Sequence, residues 1–234
     1  MRKWVVATMI TVAFLAVITT SQASFDGIKL ADYPKDSVLY QSINNETSLQ
    51  HLNQIIVLPE NLFNQKEAAA IINRIGSLPD FILKNINNHG IILKLFTGKL
   101  TDNPTASKLA GQTPRGYHSK TTWDDVPGIG GTKVVLVKIG HSEQGKGHGS
   151  INLELHEMAH SIDRYLYENI SKSKEFQMIW EEERGLIFPG NIYLIMYPEE
   201  YLAETFAMYY LNESSQNLLE SKAPRTYHFI KNLQ

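Results

Sequence analysis

His156-Glu157-Met158-Ala159-His160, inside the longer run Ile151-Asn152-Leu153-Glu154-Leu155-His156-Glu157, decides how this chain is read. On a helix, residues four apart share a face, so both imidazoles can reach one ion. Glu157 directly follows the first histidine, which puts its carboxylate beside a water on that ion. Zinc suits imidazole donors, brings the pKa of its water down to about 7 and polarises a carbonyl oxygen. Ile151, Leu153, Leu155, Ala159, Ile162 and Leu166 give the helix the apolar body of a buried element. The plain alternative is an amphipathic helix with two surface histidines. Three fixed letters are few enough to arise by chance, so the motif needs support from elsewhere.

A third ligand would supply it. One class of zinc protease places glycine three residues after the second histidine and a third histidine three further on. Here Asp163 and Leu166 stand at those positions, so the ligand must come from another element. A helix expected over residues 198–211 offers one. Between Tyr201 and Leu211 the one ionisable acid is Glu204, set among Leu202, Ala203, Phe206, Ala207 and Met208. A carboxylate in such surroundings is costly to bury unless it is paired or coordinates a metal. Glu199 and Glu200 follow Pro198 in the first turn, where acids commonly offset the helix dipole, and they rank behind Glu204. The expected set is therefore His156, His160 and Glu204 around one zinc ion per chain, with Glu157 as the catalytic base.

The N-terminus carries a separate signal. Arg2 and Lys3 precede an almost wholly apolar stretch over residues 5–18, and Ser21-Gln22-Ala23 places small residues where a signal peptidase reads. Residues 1–23 are expected to be a secretory signal peptide and residues 24–234 one catalytic domain, secreted and without stable membrane association. The apolar stretch is shorter than the roughly 20 residues that a bilayer span needs. The chain has 22 basic and 24 acidic residues, a net charge of −2 and no basic stripe, so nucleic acid is not an expected partner. It has no cysteine, and an exported domain without disulfides relies on core packing and on a bound metal. A monomer is expected.

Working outward, Gln54-Ile55-Ile56-Val57-Leu58 reads as a strand closed by Pro59. Asn64, with Glu67 three residues on, opens a helix that runs to Ile75 and stops at Gly76. Pro79 opens another, through Phe81 and Ile86. Residues 91–96 and 133–139 read as strands. Between them the glycine- and proline-rich residues 111–131 exclude regular helix, and a second glycine-rich loop spans residues 140–149. Helices are then expected near 151–168, 172–185, 198–211 and 224–232. The fold class is α+β: a small mixed sheet with N-terminal helices, then a mainly helical second half carrying the histidine helix.

Several separated stretches together resemble the Pro-Pro endopeptidases, secreted relatives of the anthrax lethal factor catalytic domain with a zincin-like fold. They are the run into His156-Glu157, Tyr197-Pro198-Glu199-Glu200, Ala203-Glu204, residues 95–102 and 122–131, Lys146-Gly147-His148 and Tyr209-Tyr210-Leu211-Asn212. The resemblance implies zinc on His156, His160 and Glu204, general acid–base work by Glu157, and oxyanion stabilisation by Tyr197, seven residues before Glu204. It implies that Trp123 sits in a loop covering the substrate, and it makes His148 a lesser candidate for substrate contact. Where some relatives have Lys before Thr-Trp or directly before Trp, this chain has Lys120-Thr121-Thr122-Trp123. The implied activity is cleavage between two prolines in proline-rich segments of bacterial surface proteins. The competing expectation is an exported zinc-binding adhesion protein without turnover, against which the intact Glu157 argues.

Overall fold

The structure is a computed structural model that describes residues 26–116 and 121–233. The expected signal peptide and Lys120 lie outside the described residues. Among the described residues five strands make one mixed sheet: β1 (Ile28–Lys29), β2 (Ile56–Leu58), β3 (Ile92–Phe96), β4 (Gly128–Ile129) and β5 (Val134–Lys138). Their order is β1-β2-β3-β5-β4. The three inner strands are parallel, and both edge strands pair antiparallel with their neighbours. All of β3 is buried, as expected of a central strand covered on both faces.

Four helices interleave the first three strands, α1 (Val38–Gln41) and α2 (Leu49–Ile55) between β1 and β2, α3 (Gln65–Gly76) and α4 (Asp80–Asn88) between β2 and β3. The Asn64 side chain caps α3 by accepting from the backbone N–H groups of Lys66 and Glu67, each at 3.2 Å. Ala68, Ile71, Ile72 and Ile75 then recur at helical spacing and are buried. The strand expected from Gln54 begins at Ile56 instead. Leu52 and Ile55 lie one helical turn apart, and their burial keeps the chain helical until Ile55.

Six helices follow β5: α5 (Leu153–Tyr165), α6 (Lys174–Ile187), α7 (Ile192–Met196), α8 (Pro198–Leu211), α9 (Glu213–Lys222) and α10 (Pro224–Lys231). Asn152 caps α5 by accepting from the backbone of Leu155 at 3.0 Å. Beyond the C-terminus of α5 the backbone turns left-handed at Glu168 and Asn169. Buried Asp163 fixes that turn by accepting from the Ser171 N–H at 2.9 Å and its hydroxyl at 2.7 Å. The mixed sheet and helical second half agree with the expected α+β class. Helices α7 and α9 were not anticipated.

Two contacts position the histidine helix. One side packs on α8, whose Tyr201, Ala203, Phe206 and Ala207 are buried in the main cluster running from Leu30 to Ile230. The other side meets the edge strand β4. A Cβ placed on Gly130 would stand 2.0 Å from the carbonyl oxygen of Glu157, so only glycine allows this approach. Among the described residues no helix is long and apolar enough to cross a membrane.

Candidate metal and active site

The histidine helix presents His156 and His160 to the first turn of α8. Their Nε2 atoms are 3.2 Å apart, and Glu200 Oε2 lies 3.4 Å from each. A tetrahedral zinc with bonds of about 2.0–2.1 Å needs ligand atoms about 3.3–3.4 Å apart. The three atoms therefore form one face of such a tetrahedron and leave a fourth corner free. Two imidazole nitrogens and a carboxylate oxygen are also a donor set that suits zinc. By geometry and chemistry, these residues fit the ion.

Glu204, expected as the third ligand, is placed elsewhere. Its Oε2 accepts from His156 Nδ1 at 3.0 Å, and its Oε1 accepts from the Ile151 N–H at 2.8 Å. It thereby holds Nδ1 of His156 as a donor and turns Nε2 toward His160 and Glu200. Glu200 and Glu204 are 8% and 5% exposed, so burial does not separate them; direction does. The first turn of α8 faces the imidazole tips, and the second turn faces the back of one ring.

Tyr197 shifts with it. Its ring lies under the Arg115 guanidinium at 3.9 Å and 5.2 Å from the Tyr193 ring. The tyrosine whose hydroxyl reaches the triad is Tyr193 on α7, which donates to Glu200 Oε1 at 2.7 Å. Tyrosine followed by glutamate seven residues later occurs twice here, as Tyr193/Glu200 and Tyr197/Glu204. The two registers differ by one helical turn, so spacing alone fits both. Tyr193 and Arg115 are the site residues that sequence reasoning missed, and the duplicated spacing was the available signal for Tyr193.

The electrostatics follow from this packing. Burial would depress the His156 imidazole, but its bonds to Glu200 and Glu204 outweigh that and hold its pKa up at about 10. Burial would raise Glu200, and its contacts with both imidazoles instead hold it far below the carboxylate range. Glu157 lies at the edge of this group with its carboxyl pushed up by burial, against the opposing pull of the two histidines.

A cleft of about 850 Å³ opens over these residues, floored by Gly128, Ile129 and Gly130 of the sheet edge. Trp123 lines it while packing on a second apolar cluster of Phe96, Leu100, Ala106 and Leu136. Asp124 staples the base of that loop, accepting from the Thr101 hydroxyl at 2.6 Å, the Gly111 N–H at 2.8 Å and the Thr122 hydroxyl at 3.0 Å. These bonds lower its pKa to about 2. His148 also lines the cleft, with both ring nitrogens engaged. Nε2 donates to the His141 carbonyl at 2.8 Å, and Nδ1 accepts from the Ser150 hydroxyl at 2.7 Å. Burial depresses its pKa, and its two bonds tie its own loop together.

Residues 42–233 match the family model described as anthrax toxin lethal factor, N- and C-terminal domain. The chain is 45% identical over 184 residues to a Pro-Pro endopeptidase of Clostridioides difficile (strain 630), covering 78% of this chain and 82% of that protein. It is 39% identical over 183 residues to a Pro-Pro endopeptidase of Paenibacillus alvei, covering 78% and 84%. The solved structure of the Paenibacillus alvei Pro-Pro endopeptidase superposes with a TM-score of 0.75 at 38% identity, over 79% of this chain and 100% of that one.

Proposed function

The chain belongs to the Pro-Pro endopeptidase family, and from that premise we propose that it is a zinc-dependent endopeptidase cutting proline-rich segments between two prolines. The observation that carries the reading is the triangle of His156 Nε2, His160 Nε2 and Glu200 Oε2, with Glu157 beside it at the floor of an open cleft. Bound there, zinc would supply Lewis-acid polarisation of the scissile carbonyl and a lowered pKa for the attacking water.

The residues of the chain supply the rest. Glu157 takes the proton of the attacking water and passes it to the leaving nitrogen. The Tyr193 hydroxyl, now on Glu200 Oε1, turns to donate to the oxyanion as charge develops there. Glu204 keeps His156 in its working tautomer. The leaving proline nitrogen is part of a ring and has no N–H. A groove for it must therefore rely on shape and aromatic surface more than on a full ladder of backbone bonds. Trp123, beside the open edge of β4, offers such a surface to an extended proline-rich helix. We further propose that the protein is secreted, acts as a monomer with one zinc and cuts proline-rich segments of bacterial surface proteins. The apolar N-terminal stretch of the sequence supports the first point.

A peptide containing Pro-Pro, its product followed by mass spectrometry, tests the assignment. The wild type is expected to cut it between the prolines and to stop when a chelator is added. Glu157→Gln is expected to keep its zinc and lose about 10²–10⁴-fold in rate. Cleavage at the wild-type rate by Glu157→Gln would remove Glu157 from the mechanism.

A further inference from the structure

Arg115 stands outside every expectation drawn from the sequence, yet it makes the most direct side-chain link from the loop after residue 111 to the triad. Its Nη2 donates to Glu200 Oε1 and to Glu199 Oε1, each at 2.9 Å. Its guanidinium lies flat over the Tyr197 ring at 3.9 Å, and Gly116 next to it touches the Tyr193 ring so closely that a Cβ would stand 2.7 Å away. Glu200 Oε1 therefore receives two donors, Arg115 and the Tyr193 hydroxyl, while Oε2 faces the histidines.

Resting on the zinc-site reading above, we propose that Arg115 is a positioning residue for Glu200: it holds Oε1 so that Oε2 stays aimed at the imidazole pair when the Tyr193 hydroxyl turns away to substrate. The two donors are not equivalent in this scheme. Tyr193 must leave Glu200 in every turnover, and without Arg115 the carboxylate would then lose both donors on Oε1 and be free to rotate about its last bond. Arg115 keeps the carboxylate in place because its Nη2 bonds both acids at once and its guanidinium rests over the Tyr197 ring. Glu199 matters here as the second anchor of the guanidinium, and Tyr197 as its platform. The register in which tyrosine and glutamate alternate along residues 193–200 thus serves two tasks, one set facing the triad and the other facing Arg115.

The test is zinc affinity, measured by competition with a chromophoric chelator on the folded full-length protein, together with the visible spectrum of the cobalt-substituted form. Arg115→Gln is expected to weaken zinc binding by about 10–100-fold, the range for loss of an outer partner of a ligand, and to alter the cobalt bands. Arg115→Lys should recover part of the affinity, because it restores the charge without the fork. Placed on Tyr193→Phe, Arg115→Gln should cost more than it does alone, since no donor then remains on Oε1. The melting temperature of the metal-free protein should stay near the wild-type value in Arg115→Gln. Wild-type affinity and an unchanged cobalt spectrum in Arg115→Gln would overturn the proposal, as would a loss of affinity matched by a general loss of metal-free stability. A wild-type protein without zinc affinity would overturn the site reading itself and this inference with it.

Discussion

Two successive turns of α8 each carry a buried glutamate against the same histidine, and they do different things. Glu200, in the first turn, meets the Nε2 tips of His156 and His160. Glu204, one turn later, meets Nδ1 at the back of His156 and a backbone N–H. Burial, residue type and apolar neighbours are shared, so none of them sets the role. What differs is height along the helix relative to the imidazole rings: 1.5 Å of rise per residue moves the carboxylate from the front of the ring to its rear. In the proposed site a ligand and its outer partner are thus separated by geometry that composition does not record.

The sharpest way to break this comparison is to remove each acid in turn. Glu200→Ala should lower zinc affinity by well over about 100-fold, beyond the range of an outer partner, whereas Glu204→Ala should fall within about 10–100-fold. Competition titration reads both, and equal losses would erase the distinction. The paired tyrosines give the next largest contrast. Tyr193→Phe should cut kcat by about 10²–10³-fold with zinc retained, as expected for one oxyanion donor. Tyr197→Phe keeps the ring under Arg115 and should change kcat by less than about threefold, because that cation–π contact does not need the hydroxyl.

The same contrast between front and rear extends to the sheet edge. Gly130→Ala forces a methyl against the Glu157 carbonyl and should destabilise the fold by about 1–3 kcal/mol, read by thermal or denaturant unfolding. Gly149→Ala, with no atom within 4 Å of the added Cβ, should leave stability unchanged. The smallest effect is at the loop base. The Asp124 pKa is depressed, so its bonds contribute above the unfolded value of 3.8 and are lost as pH falls toward about 2. An NMR titration of its carboxyl carbon should show a midpoint near 2, and a midpoint at the ordinary value would mean that the loop is not stapled there.

Much of this arrangement is legible in the residues alone. Pro198 and the apolar run behind it give α8 its full extent, and Asn64 marks the start of α3. The histidine helix follows from its spacing. The proposed third ligand does not, because first-turn acids have an ordinary explanation in the helix dipole, and Glu200 hid behind it. Its partner Tyr193 lies on α7, a helix of five residues whose form depends on packing under Arg115 and α8 more than on local propensity. Helix α9 escaped for a related reason: its sequence is polar, with Leu219 its one fully buried apolar side chain, and the cap from Asn212 with packing on α8 holds it. Strand β4 is two residues long in a glycine-rich stretch, where periodicity carries no information.

Anomalous diffraction at the zinc edge, from crystals of the loaded full-length protein, reads the ligand set directly. The expected result is one peak bonded to His156 Nε2, His160 Nε2 and the Glu200 carboxylate, with Glu204 on His156 Nδ1 and not on the metal. A peak coordinated by Glu204, or no peak between the two histidines, would contradict it.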